Sequence, residues 1–330
     1  QLGRGLRKDV GKDFLVVIDF IGNYANNFLI PIALFGDMSL SKDSNRRNMI
    51  NADEAGTIAG ISSISFDEVA KELVFKAIAA TKLDSFTRLK EAFNLLKGRL
   101  GTTPKLIDFA RFATVDPVVI ASGSGNYHRF LLRLKETVSP LSVQADEFLT
   151  FMTLELLNGK RPHELLLLQA LLERDHVSLS EYDALLEQAN SPRDGAVIES
   201  VRKILTLEFF TSMEREKYGS GGLISVDGQA IKLSSGLAAC LELEPEFRAY
   251  MSDLIDTGLF TSRHRFRTDK ALMVGERYSR KDVCRLLNWE SNQQSTIYGY
   301  KVDKATQTCP IFITYHKDDE IDASVKYQDE

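Results

Sequence analysis

Apolar positions recur along most of this chain at three- and four-residue spacing and take a two-residue period only in short stretches, which predicts a largely helical α+β protein. From Ser65 to Lys97 the series Phe66, Val69, Leu73, then Leu89, Phe93 and Leu96 reads as helix, with Ser65 and Glu68 as a capping box at its start. Gly101 to Pro104 stops that pattern, and a new helix begins with Leu106, Ile107, Phe109 and Phe112 on its apolar side. Two short helices about a glycine turn fit an ordinary helical hairpin, and also a helix-turn-helix-like unit. The polar text from Met38 to Asn51 fits a linker or an exposed helix.

The clearest pattern lies between positions 161 and 262. His163 to Glu173 is a leucine-rich helix, Ser178 to Glu181 caps a second over Tyr182 to Gln188, and Ala196 to Phe210 forms a third. Leu223 to Val226 and Gln229 to Leu233 then read as strands about an Asp227-Gly228 hairpin signal. Three helices followed by a two-stranded ribbon is the order of a winged helix. Its third helix carries Arg202 and Lys203, but Glu199, Glu208, Glu214 and Glu216 make the segment a poor phosphate surface. Protein or lobe docking is therefore expected ahead of base reading.

Composition narrows the classes. With 330 residues, 44% hydrophobic and 26% charged, the chain can bury a sizeable core. A formal net charge of -5 excludes a uniformly basic nucleic-acid binder, so any DNA contact must come from local patches. Cys240, Cys284 and Cys309 are odd in number and widely spaced, which points to reduced, buried thiols and a cytoplasmic setting. The longest apolar runs are too short to span a bilayer. The five histidines show no zinc-ligand spacing, and no Gly-x-x-x-x-Gly-Lys-Ser/Thr pattern is present to cradle a phosphate.

Three stretches carry candidate chemistry. Gly3-Arg4-Gly5-Leu6-Arg7 places Arg4 and Arg7 about one turn apart, and a guanidinium fork matches phosphate oxygens; a basic helix start would look the same. Arg263, Arg265 and Arg267 form the densest basic cluster, extended by Arg280 and Lys281, and fit phosphate anchoring or a solvated linker. Beyond them Trp289, Tyr300 and Tyr315 offer stacking faces, while Lys301 and His316 offer donors, in text that reads as a short helix followed by strands Gly299 to Asp303 and Pro310 to Tyr315. Each aromatic could equally serve a core.

These motifs bring a family into view. The Gly-Arg-x-x-Arg step resembles the last conserved motif of superfamily 2 helicases. Lys97 to Pro104, Tyr278 to Val283 with Leu286 to Trp289, and Gly299 to Lys301 with Cys309 to Lys317 resemble the C-terminal domain of modification-dependent restriction proteins. Those proteins join a phospholipase-D-type nuclease, a superfamily 2 helicase core and that domain. The resemblance implies that Arg4 and Arg7 face ATP phosphates in a longer protein that uses ATP and Mg, and that this chain alone binds no cofactor. It also implies double-stranded DNA, with modified cytosine, as partner, alongside upstream helicase and nuclease domains. A modified base of this kind can be flipped into an aromatic pocket.

The expected organisation is then a RecA-lobe tail over 1–36, a helical connector over 37–160, a winged-helix-like unit over 161–262, and a truncated β-rich DNA-reading module over 263–330. A different class remains open: a non-enzymatic helical and winged-helix module for protein interaction or regulation.

Overall fold

The computed structural model describes residues 16–18, 26–56, 64–219, 221–267, 269, 271–273, 276–297 and 299–312. They form two compact units that divide between Ser85 and Phe86.

The first unit contains helices α1 (Leu29–Phe35), α2 (Lys42–Ala55) and α3 (Glu68–Ala80). Phe28, Met49, Val74, Ile78 and Leu83 make its core. Pro31 lies inside α1, where the amide it lacks is one of those a helix start leaves unbonded anyway. One expectation is corrected here. The cap of α3 is Asp67, not Ser65, because the Asp67 carboxylate accepts from the amides of Val69 and Ala70 at 2.9 and 3.4 Å. Val16 to Ile18 are exposed and form no strand among the described residues.

The second unit opens with α4 (Phe86–Leu100), α5 (Leu106–Arg111), α6 (Pro117–Ser122), α7 (Tyr127–Arg133) and α8 (Val143–Glu155). Phe86, Phe93, Phe109, Tyr127 and Phe130 pack ring against ring at centroid distances of 6.0–6.4 Å, favourable for edge and offset contacts. The Tyr127 hydroxyl donates to the Pro104 carbonyl at 2.6 Å, so the buried ring leaves no polar group unpaired.

Next come α9 (His163–Glu173), β1 (Val177–Ser178), α10 (Leu179–Gln188), α11 (Gly195–Leu205), α12 (Ser212–Tyr218), β2 (Ile224–Asp227) and β3 (Ala230–Leu233). The sheet is antiparallel in the order β1-β3-β2, with Val177 opposite Ile231 and Val226 opposite Ile231 on the other side. Helix, strand, two helices and a hairpin is the winged-helix order, and the expected capping box of Ser178 with Glu181 starts α10. Two features were not expected. Strand β1 closes the sheet on its far edge, and α12 interrupts the path from the third helix to the wing. The third helix is also shorter than its apolar text, ending at Leu205; Leu207 then takes φ +65°.

Helices α13 (Ser235–Leu243) and α14 (Pro245–Arg265) complete this body. The 21-residue α14 packs on α5 and α9 and supplies the spine of the unit. Where the chain leaves α8, Gly159 has φ +66° and lies so close to α14 that a Cβ would stand 2.6 Å from the Gly258 carbonyl oxygen. Only glycine meets both conditions.

The C-terminal stretch contributes α15 (Arg280–Leu286) and the short α16 (Gln293–Thr296). The expected β-rich character is reduced, among the described residues, to two isolated antiparallel bridges, Tyr300 with Ile311 and Asp303 with Thr308. Both bridges lie in one hairpin register, closed at the turn by Asp303 accepting from Thr306, and Pro310, which accepts from Lys301 but has no amide hydrogen to return, interrupts the ladder between them. Cys240 and Cys284 are buried free thiols, whereas Cys309 is exposed.

Candidate functional site

Arg4, Arg7, Tyr315 and His316 lie outside the described residues. The other predicted site residues are placed: Arg263, Arg267 and Tyr300 are exposed, Arg265, Arg280, Lys281 and Lys301 are half-buried, and Trp289 is buried.

In the basic cluster, Arg265 makes two bonds of 3.1 Å and one of 2.7 Å to the Glu276 carboxylate, and Arg267 pairs with Asp269 at 2.8 Å. Lys281 pairs with Glu155 at 2.6 Å and Glu214 at 3.4 Å. Arg265 and Lys281 are thus half-buried and engaged within the chain, whereas Arg267 stays exposed in a local surface pair. Arg263, in the last turn of α14, is exposed, and Arg280 stands 5.7 Å from the Phe312 ring.

Trp289 is 9% exposed, donates from its indole nitrogen to Asp303 at 3.2 Å, and is covered by the Lys301 ammonium 4.1 Å from its ring. It serves the module's packing, with Lys301 as a cation–π cover and not a free donor. Tyr300 is 67% exposed and keeps an open stacking face.

The groups withdrawn from the surface build a buried ionic joint. Arg161 follows α8, Glu164 sits in the first turn of α9, and Arg285 comes from α15. Glu164 has no exposure and lies between the two guanidiniums, bonded to Arg161 Nε at 3.1 Å and to Arg285 Nε and Nη2 at 3.1 and 3.0 Å. The remaining donors are also used: Arg161 reaches Ser200 Oγ at 3.0 Å and the Arg285 carbonyl at 2.8 Å, and Arg285 donates to the Glu155 carbonyl. Burial alone would raise the Glu164 carboxyl, but Arg161 and Arg285 outweigh it and hold the group at about 2. Burial, then Arg161, lowers the neighbouring His163 to about 4, so it is neutral at pH 7.

Further pairs surround the joint. Lys160 meets Asp282 at 2.7 Å, Lys203 meets Glu290 at 2.6 Å, and the Tyr218 hydroxyl of α12 bonds the same Glu155 carboxylate that takes Lys281. On α11, Arg202 is shared by Glu199 and Glu208. Both basic residues of the third helix are thus neutralised within the chain.

Sequence reasoning missed this joint. Its one advance signal was Glu164 at the head of a run of four leucines, a charge at a position destined for burial.

Among the described residues no group of three or more His, Cys, Asp or Glu side chains could hold a metal, and no helix is long and apolar enough to cross a membrane.

Fold and joint define the class: a mostly helical α+β body with a three-stranded antiparallel sheet, onto which a C-terminal module is fastened by buried ion pairs. The chain belongs to the family described as Domain of unknown function (DUF8090), whose model matches residues 89–266. Residues 272–330 match a second family, Domain of unknown function (DUF3427), which is often found in helicase-associated proteins. The step between the two matches falls just after the end of α14, and the Arg161–Glu164–Arg285 joint spans it. No curated protein matches the chain significantly.

Proposed function

We propose that this chain is an accessory region of an ATP-dependent, helicase-type protein acting on DNA, in which the winged-helix body is a rigid platform for the C-terminal module. The observation that carries this reading is the buried Glu164 clamped from both sides, since such a joint fixes orientation more than it adds stability. DNA is met from the module's side, by Arg263, Arg280 and Tyr300, and not through the third helix, whose cations are already occupied. The second family match supports the helicase setting, and the Gly3 to Arg7 motif supports a role for Arg4 and Arg7 at ATP. Modified cytosine as the base read, in a restriction protein with an upstream nuclease, is the finer form of the proposal; Tyr300 is its candidate stacking face.

Fluorescence anisotropy with a labelled duplex tests it. Arg263→Ala and Arg280→Ala should each weaken binding and reduce the log-log salt slope by about 0.9, whereas Arg202→Ala should change neither. Unchanged binding in the double variant, or an equal loss in Arg202→Ala, would remove the reading. For the ATP role, Arg7→Ala in the longer protein should lower DNA-stimulated turnover by roughly a thousandfold or more.

A further inference from the structure

The winged helix holds an apolar groove of about 210 Å³ between its third helix and its wing. Leu167, Leu179, Ile198 and Val201 form the helical wall, and Val226 and Ile231 face them from the sheet. Val226 and Ile231 are cross-strand partners, and Ile224 and Leu233 pair on the same face two residues further along. At one level of the sheet Ile231, on the central strand β3, is 4% exposed, whereas its partner Val226, on the edge strand β2, is 41% exposed. The groove therefore opens along the β2 edge of the wing. An apolar cavity of roughly 150 Å³ takes up benzene, so this one has room for a single leucine- or phenylalanine-sized group.

The charge around the groove selects the partner. Glu199 and Arg202 border it, and Arg202 bonds Glu199 at 2.8 Å and Glu208 at 2.6 and 2.7 Å. Those bonds hold both carboxyls below their ordinary value, so both stay ionised. Arg193 likewise serves two carboxylates at once, Asp183 at 2.9 Å and Glu187 at 2.8 Å. Each arginine is thus outnumbered two to one, Arg202 at the rim of the groove and Arg193 in the loop between α10 and α11. Such a surface repels a phosphate backbone and favours a cationic partner.

The geometry points to a docking site for a basic amphipathic helix of a protein partner, with one large apolar side chain in the groove and Lys or Arg side chains toward Glu199 and Glu208. Helix-in-groove binding of this kind combines an apolar anchor with flanking charge.

Methyl NMR of the full chain labelled at Ile and Val gives the test. The probes are an 18-residue amphipathic peptide of Leu and Lys, the same pattern in Leu and Glu, and a DNA duplex. The Leu/Lys peptide should shift the methyls of Ile198, Ile224, Val226 and Ile231 saturably, and the Leu/Glu peptide should not. Val226→Trp, which fills the groove, and Glu199→Lys with Glu208→Lys, which reverses its rim on the surface, should each weaken that binding at least tenfold. The proposal is overturned if the Leu/Lys peptide leaves these methyls in place, or if it binds both variants as well as the parent. It is equally overturned if the duplex, or raising the concentration of the chain alone, produces the shifts instead.

Discussion

Glu164→Gln tests the joint most directly. The substitution keeps the shape of the side chain and one acceptor oxygen but removes the charge, leaving the guanidiniums of Arg161 and Arg285, each 6% exposed, without their shared counter-ion. Removing one partner from a buried pair costs about 3–5 kcal/mol. The titration of Glu164 gives a second figure: a carboxyl at about 2 in the fold against an ordinary 4.5 is linked to about 3 kcal/mol. Because the folded value is depressed, this stability is complete above pH 4.5 and is lost as pH falls through about 2. At neutral pH the variant should therefore show the whole effect, about 3 kcal/mol. Trp289 is the chain's only tryptophan and lies in the fastened module, so its fluorescence reports that module while far-UV circular dichroism reports the helices at large. In urea the fluorescence midpoint should fall by about 1 M or more and precede the loss of helix, given a slope of about 1–3 kcal/mol per M. A fluorescence transition within about 1 kcal/mol of the parent's would refute the reasoning.

Two other predictions concern α14. Asp253 caps α5 through the amides of Leu106 at 2.7 Å and Ile107 at 3.1 Å, yet burial pushes its carboxyl up to about 6 against the pull of those amides. The stability it brings is full below pH 3.8 and is lost as pH rises through about 6, a span of about 3 kcal/mol; Asp253→Asn should flatten thermal stability between pH 4 and 6, and an unchanged profile would count against it. Gly159→Ala would bring a Cβ to 2.6 Å from the Gly258 oxygen and 2.8 Å from the Ser262 nitrogen, both backbone atoms, at a positive φ. A loss of about 2–4 kcal/mol is expected in denaturation. Gly258→Ala has its one close contact at the end of the Leu165 side chain, 2.6 Å away, with the Leu156 carbonyl oxygen at an ordinary 3.5 Å, and should cost less. Equal losses would show that the close approach is not what makes Gly159 necessary.

The winged-helix order was legible because its signals are local. A change of period, a serine cap three residues before a glutamate, and Asp-Gly between two apolar strands each act within a few residues. Strand β1 was not legible, since Val177 and Ser178 acquire strand character only from pairing with β3. Helix α12 hid behind charged text in which Tyr218 alone is buried. The basic cluster misled for a related reason: a cation in the sequence looks the same whether it faces solvent or a carboxylate elsewhere in the chain. Arg265 meets Glu276 eleven residues on, and Lys281 meets Glu155 126 residues earlier. Arg4 and Arg7 rest on the family resemblance.

The pairing of β1 with β3 also constrains the order in which the molecule can assemble. Val177 meets Ile231 more than fifty residues later in the chain, so the sheet cannot close until α10, α11 and α12 have been threaded between them. Contacts of that separation slow folding, because the loop must be closed before any bond rewards it. Helix α12 carries Glu214, which pairs with Lys281 of the module from 67 residues away. Docking of α15 is therefore a long-range contact of the same kind, and should follow the formation of α12.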